Sequence, residues 1–217
     1  MIPINSYEGL INILSKACSP SKNRCLVALL FADSGFEIVK KEILPFIKRF
    51  NVRSGKSTHF FFAGYVSEGA RSYYKDSEFV LEGPYSRKWY FSALAFENIR
   101  RDLEKHSKWK YSGGVDFLLL DAVRNSSSNE LDLQFDKVVS FELVQARETK
   151  RVEVLSKFFE EIFRYSEENL TIDDISDTKL LPFCIKIAEG TLKRFLPDGT
   201  IDAFKEANQY AVLDIRK

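Results

Sequence analysis

Residues 25–66, CLVALLFADSGFEIVKKEILPFIKRFNVRSGKSTHFFFAGYV, decide the fold prediction. The uninterrupted apolar run over 25–32 is typical of a strand that is buried on both faces. Residues 35–50 then place apolar side chains at helical spacing, with Pro45 inside the pattern as a kink or an early end. A second apolar strand follows over 57–66. Two apolar strands joined through a helix predict a right-handed βαβ unit with parallel strands.

The flanking sequence extends this alternation of strands and helices. Helical spacing predicts an amphipathic helix over 6–17, with Ser6 as its N-cap. After the βαβ unit the pattern predicts short strands at 78–82 and 88–91 and a helix over 92–107 with Ser92 as its cap. It then predicts a strand over 115–123, an antiparallel alternating strand over 131–145, and a helix over 150–166. We therefore predict an α/β core with an N-terminal helix over 1–168. Helical patterns then predict a helical C-terminal extension over 169–217, packed on the core.

The predicted core order, βαβαββα over about residues 22 to 168, resembles the thioredoxin fold, a mixed sheet flanked by helices. The stretch Phe31-Ala32-Asp33, followed by a helix that contains Pro45, is also similar to the aromatic-Ala-acidic strand end and helix proline of thioredoxins. The resemblance implies a dithiol at the start of that helix, where this chain has Asp33-Ser34-Gly35-Phe36 instead. It also implies a cis-proline before the hairpin, where Ser112-Gly113-Gly114 stands. The resemblance therefore predicts a redox-inactive thioredoxin-like protein.

Composition narrows the class of protein. The chain is 45% hydrophobic and 29% charged with a net charge of +1, which is ordinary for a globular domain. No apolar run is long enough to span a bilayer and no secretory signal opens the chain, so we expect a cytoplasmic protein that does not enter membranes. Cys18, Cys25 and Cys184 lack CxxC spacing, and we interpret Cys25 and Cys184 as small buried hydrophobes rather than parts of a disulfide framework. We predict no metal and no cofactor.

Catalytic candidates are few. Asp33, Ser34 and His59, together with Arg53, are expected near the carboxyl ends of the first strands. There they could serve an enzyme that acts on a phosphorylated or nucleic-acid substrate. Asp and Ser are also the usual helix caps, and a lone strand histidine is more often structural than catalytic. The capping interpretation is therefore preferred over a catalytic one, and an enzyme of this kind is kept as an alternative to a non-catalytic protein.

Residues 71–111 interleave aromatic and basic side chains. Such a composition serves single-stranded nucleic acid by stacking and phosphate pairing, and it serves protein interfaces equally well. It is also produced by a buried aromatic core under a solvated charged face. The leading interpretation is a non-catalytic protein-binding or scaffolding module, an accessory or subunit of a larger assembly, and nucleic-acid binding through 71–111 is an alternative. The predicted contact surface comprises Arg53, Lys56, Tyr73, Tyr74, Arg87, Trp89 and Trp109.

Overall fold

The computed structural model describes residues 2–18, 24–55, 58–125, 131–135, 138–148, 154–167 and 212–213. The strands of its main sheet are β1 (Ile2–Ile4), β2 (Arg24–Phe31), β3 (Thr58–Ala63), β7 (Asp116–Arg124), β8 (Leu131–Leu133), β9 (Val138–Glu142) and β10 (Val212–Leu213). They lie in the spatial order β1-β3-β2-β7-β9-β10, and β8 pairs with β7. A smaller sheet of β4 (Tyr65–Ser67), β5 (Glu78–Glu82) and β6 (Lys88–Phe91) has the order β4-β6-β5. The described part of the chain is thus mixed α/β, as predicted.

The parallel half of the main sheet is the predicted βαβ unit. Strand β2 pairs in parallel with β3, placing Val27 beside His59 and Leu30 beside Phe62. Strand β1, which the sequence did not predict, pairs in parallel with the other edge of β3. Strand β2 is buried along its whole length except at Arg24. This burial on both faces is the physical reason for its uninterrupted apolar sequence.

The antiparallel half begins at β7, which pairs with β2 over the full length of that strand. The single strand predicted over 131–145 is two strands, β8 and β9, which pair with different parts of β7. A short helix, α4 (Leu143–Glu148), follows β9 directly. The Glu142 carboxylate accepts hydrogen bonds from the N–H groups of Val144 and Gln145. This cap ends the strand earlier than apolar alternation alone predicts.

The predicted helix over 35–50 is interrupted at its proline, as expected. A π-helical turn (Val39–Ile43) passes into a 3₁₀ turn (Leu44–Phe46), and the α-helix α2 covers Ile47–Arg53. Pro45 lies in the 3₁₀ turn and has no N–H to continue the hydrogen-bond ladder.

Both predicted N-caps are confirmed. In α1 (Tyr7–Ala17) the Ser6 hydroxyl accepts the Gly9 N–H at 3.1 Å. In α3 (Ala93–His106) the Ser92 hydroxyl accepts the Ala95 N–H at 3.0 Å. Each cap satisfies a helix N–H that has no partner within its own helix.

Aromatic side chains pack the helices against the sheet. Helix α5 (Leu155–Glu167) places Phe159 and Phe163 against Phe60 of β3, with ring centroids 5.5 and 4.9 Å apart. Phe50 of α2 packs on the same two rings of α5. Phe31 of β2 instead contacts Phe96 of α3 and Trp109. The aromatic-rich composition is therefore largely core.

Two predictions require correction. Cys18 and Cys25 form a disulfide, so Cys25 is not a free buried thiol. The end of α1 and the start of β2 bring the two Cα atoms within 6.5 Å, which is inside the range that a disulfide spans. Val212, which lies within the predicted helical extension, belongs instead to β10 and pairs with β9. The rest of the predicted extension over 169–217 lies outside the described residues.

No helix in the described ranges is long and apolar enough to cross a membrane.

Candidate functional site

A cleft of about 600 Å³ lies at the carboxyl end of β2, between the turn after that strand and the smaller sheet. Its size falls within the range of ligand-binding sites in proteins. Its lining comprises Asp33, Ser34, Gly35, Lys40, Leu44, Asp76, Glu78, Phe79, Val80, Phe91 and Ala93. Three carboxylates and one ammonium group make the ionisable lining predominantly acidic.

The turn after β2 forms one wall of the cleft, and its carboxylate holds the backbone in place. Asp33 Oδ1 accepts the Gly35 N–H at 2.6 Å, and the Asp33 carbonyl accepts the Phe36 N–H at 3.2 Å. The Tyr65 hydroxyl fixes the preceding residue by donating to the Ala32 carbonyl at 3.0 Å. Burial, and secondarily the charge of Asp33, raises the pKa of Tyr65, so this hydroxyl remains a donor at physiological pH. Asp33 therefore holds the turn after β2, but it does not cap the helical turn Val39–Ile43, whose N-cap is Ile38 and which has no side-chain cap hydrogen bond.

The opposite wall is organised by Asp76. Its carboxylate accepts hydrogen bonds from the Ser92 hydroxyl at 2.8 and 2.9 Å and from the Leu94 N–H at 2.9 Å, at the start of α3. Partial burial opposes ionisation of this carboxyl, but the hydrogen bonds from the Leu94 N–H and Ser92 outweigh it, so the pKa of Asp76 is lowered. Asp76 therefore remains ionised and ties the loop before β5 to helix α3.

An exposed aromatic side chain borders the cleft. Phe79 on β5 is 59% exposed and contacts the Tyr90 ring edge-on, with centroids 5.8 Å apart. Phe91 supplies a buried apolar surface, and Leu44 and Val80 are partly buried beside it. Among the described strands, β5 pairs only with β6, so the other edge of β5 has no strand partner. The cleft thus combines an apolar surface, negative charge and an open strand edge.

The predicted catalytic candidates are not brought together. Asp33 and Ser34 line the cleft. His59 is 5% exposed and lies beside Val27, in the middle of β2. At about 3.3 Å per residue, Val27 to Phe31 alone spans roughly 13 Å. Ser34 and His59 therefore do not form one site.

Arg53 also lies away from the cleft. It ends α2, where its guanidinium contacts Glu167 at 3.2 Å and Glu160 at 4.0 Å on α5. The positive charge of Arg53 is therefore paired with two carboxylates of α5 and does not face the cleft. Lys56 lies outside the described residues.

The predicted aromatic surface is divided between core and solvent. Trp89 and Trp109 are only 3% and 5% exposed. Tyr73 is 82% exposed, Tyr74 is half-buried and Arg87 is exposed. The two indole rings are therefore unavailable as a stacking platform for bases.

The basic residues of α3 have acidic neighbours on the same helix. Arg100 contacts Glu97 at 2.5 Å and Glu104 at 2.7 Å. Lys105 contacts Asp102 at 3.3 Å, and Lys110, just beyond the helix, contacts Glu104 at 3.2 Å. These pairs offset the positive charge that single-stranded nucleic acid would require.

Residues Asp76, Glu78 and Phe79 were not identified from the sequence. The only local signal was the short strand at 78–82, in which Glu78 and Phe79 are both exposed. Nothing in the sequence placed that strand against the turn after β2.

Comparison with protein-family models, with curated proteins and with solved structures finds no significant match to this chain. Fold and site therefore rest on the residues of this chain alone.

The first prediction concerns the Asp76 cap. Asp76→Ala is expected to lower the free energy of unfolding by about 1 kcal/mol at pH 7, because the start of α3 loses its carboxylate acceptor. The folded-state pKa of Asp76 is lowered, so its stabilising effect is complete above the ordinary value of 3.8 and is lost as pH falls below it. Urea unfolding at pH 7 and pH 3 should show the difference between the two proteins shrinking in acid.

Glu82→Ala is the matched control, since Glu82 is an exposed acid on the same β5 segment. Its effect should stay within about 0.5 kcal/mol at both pH values. A difference between Asp76→Ala and the unmodified chain that is the same at pH 3 and pH 7 would contradict the role assigned to the ionised carboxylate.

Proposed function

We propose that this chain is a non-catalytic protein-binding module. In this proposal the cleft accepts an extended segment of a partner protein that presents a Lys or Arg beside an apolar side chain. The observation that carries the proposal is the lining itself, with Asp33, Asp76 and Glu78 around an exposed Phe79.

Charge complementarity selects the polar part of the ligand. The residues that line the cleft carry three carboxylates and one ammonium group, that of Lys40, so the cleft favours a cation over an anion. A phosphorylated substrate would meet repulsion from the same three carboxylates. The cleft therefore supports a basic peptide rather than a phosphorylated molecule.

Shape and backbone chemistry select an extended peptide. Aromatic side chains are enriched where protein interfaces bind most strongly, and Phe79 is largely exposed at the cleft. Strand β5 also offers an open edge, and extended peptides commonly add to such edges through main-chain hydrogen bonds. A segment lying along β5 would place alternate side chains toward the cleft.

We further propose that the core is thioredoxin-like and that the place of that fold's dithiol is redox-inactive. The strand order β3-β2-β7-β9, with the first pair parallel and the next two antiparallel, supports this proposal. The cleft then occupies the place where that fold keeps its dithiol. Asp33-Ser34-Gly35-Phe36 at this place supplies carboxylate and hydroxyl groups but no thiol.

The second prediction tests the cleft with a displayed peptide library. Peptides enriched by the unmodified chain should carry Lys or Arg within a few residues of an aromatic or aliphatic side chain. Glu78→Lys and Phe79→Ser should each weaken binding of an enriched peptide at least about tenfold, as the loss of one central interface contact does. Fluorescence anisotropy with the labelled peptide measures the affinities.

Two control variants separate the cleft from the neighbouring surface. Glu82→Lys makes the same charge change on β5 outside the cleft lining, and Tyr73→Ser removes an aromatic side chain that is even more exposed than Phe79. Both should bind the peptide normally. If Tyr73→Ser weakens binding and Phe79→Ser does not, the interface lies on the surface around Tyr73 and the cleft proposal fails.

A further inference from the structure

A second group of reactive side chains lies at the other end of β2 from the cleft. The sulfur atoms of Cys18 and Cys25 and a ring nitrogen of His59 all lie within 4.8 Å of one another. All three residues are buried, with 2%, 9% and 5% of their surfaces exposed. Two sulfurs and one imidazole nitrogen are ligands that zinc prefers in proteins.

We propose that, in the reduced chain, Cys18, Cys25 and His59 bind a zinc-class metal ion, and that formation of the Cys18–Cys25 disulfide releases this ion. Tetrahedral zinc holds two thiolate sulfurs roughly 3.7 Å apart, given Zn–S bonds of about 2.3 Å. A disulfide bonds the same two sulfurs directly. Metal-bound and disulfide states therefore exclude each other.

Regular secondary structure holds each of the three ligands. Cys18 is the C-cap of α1, and its N–H donates to the Leu14 carbonyl at 2.8 Å. Cys25 and His59 are the second residues of the neighbouring parallel strands β2 and β3. Ligands fixed in this way require little reorganisation when a metal binds.

The Arg124 guanidinium donates to the Cys18 carbonyl at 3.2 Å and so helps to hold the backbone of this ligand in place. Metal binds cysteine as the thiolate, so binding releases the thiol protons. Three protein ligands leave the fourth zinc position for water or another donor.

Metal binding forms two metal–sulfur bonds and one metal–nitrogen bond and releases two protons from the thiols. An oxidant of the small-molecule disulfide class, such as glutathione disulfide, then accepts two electrons from the thiolates. The two metal–sulfur bonds break, the Cys18–Cys25 bond forms, the oxidant takes up two protons to become two thiols, and the metal ion leaves.

The redox state of the compartment decides whether the three residues hold the metal or the disulfide. Disulfides persist in oxidising compartments, whereas reducing compartments keep thiols free. The cytoplasmic prediction stays a prediction. In a reducing compartment the three residues would hold the metal, and in an oxidising one they would hold the disulfide.

Cobalt titration of the full chain, reduced with a phosphine, tests the proposal. One equivalent of Co²⁺ should produce a thiolate-to-cobalt charge-transfer band and visible bands of tetrahedral intensity, and Zn²⁺ should displace it. Cys18→Ser/Cys25→Ser should abolish the charge-transfer band, and His59→Asn should weaken binding at least about tenfold. Glutathione disulfide should release one equivalent of Zn²⁺ from the loaded chain.

Control variants test whether cobalt binding is specific to the three proposed ligands and whether the variants still fold. Cys184→Ser and His106→Asn alter the remaining cysteine and histidine and should bind cobalt normally. Because His59 is buried, His59→Cys guards against a folding defect, and it should restore binding with a stronger charge-transfer band from a third thiolate. Loss of the band in Cys184→Ser, binding unaffected by His59→Asn, or no band in the reduced unmodified chain would each overturn the proposal.

Discussion

Replacing Phe117 with alanine is expected to lower the free energy of unfolding by about 3–5 kcal/mol, the usual cost of removing a fully buried aromatic ring. Phe117 lies on the central strand β7 and is completely buried. Its ring meets those of Phe60, Phe141, Phe158 and Phe159, with centroid separations of 5.7, 6.2, 5.6 and 5.7 Å. The cavity would therefore open where β3, β9 and α5 meet.

Urea unfolding followed by circular dichroism measures this loss, with Phe79→Ala as the matched control. Phe79 is 59% exposed, and of the described rings it meets only Tyr90. Its replacement should therefore change stability by less than about 1 kcal/mol. A Phe117→Ala protein that loses no more stability than Phe79→Ala would contradict the packing of α5 on the sheet.

Uninterrupted apolar runs predicted the parallel core because β2 and β3 are buried on both faces over most of their length. The same reasoning predicted the caps at Ser6 and Ser92, since a helix start is a local feature with a local chemical requirement. The interruption of the helix at Pro45 was also predicted correctly, because it follows from the missing N–H of that one residue. These features depend on a few neighbouring residues, so sequence alone is sufficient to identify them.

The cleft could not be predicted in this way because its two walls are distant in sequence. Asp33 follows β2, whereas Glu78 and Phe79 belong to a strand of the smaller sheet more than forty residues later. Residue type was also a poor guide to exposure. Trp89 was predicted to be a contact residue, but it is buried against Phe62 and Tyr65.

The cysteines show the same limit. The seven-residue separation of Cys18 and Cys25 fits no familiar metal or redox spacing. His59 joins them only because β3 lies beside β2 in parallel register. A three-ligand group of this kind becomes visible once strand pairing is known.

Gly64→Ala is expected to lower the free energy of unfolding by about 2–5 kcal/mol. Gly64 has a φ of +83°, and the left-handed region costs a residue with a Cβ about 1–2 kcal/mol. The added Cβ would also lie 2.6 Å from Phe96 Cβ and 3.0 Å from the Phe96 Cα, so the backbone of α3 has to move. Overpacking of this kind typically costs a further 1–3 kcal/mol.

Gly113→Ala separates the two contributions. Gly113 has a similar φ of +88°, but a Cβ there would meet nothing within 4 Å. Gly113→Ala should therefore cost only about 1–2 kcal/mol, the backbone contribution. If both variants lose the same stability in urea unfolding, the close approach of α3 to Gly64 is not a real constraint.

The position of Gly64 extends this prediction to binding. Gly64 joins β3 of the main sheet to β4 of the smaller sheet, its N–H donates to the Ile4 carbonyl at 2.9 Å, and its carbonyl accepts the Ser92 N–H at 3.0 Å. A displaced Gly64 would shift the smaller sheet relative to the turn after β2. Because Phe79 lies on one wall of the cleft and Asp33 on the other, Gly64→Ala should also weaken peptide binding at temperatures where the variant is still folded. Gly113→Ala should bind the same peptide normally, since Gly113 does not line the cleft.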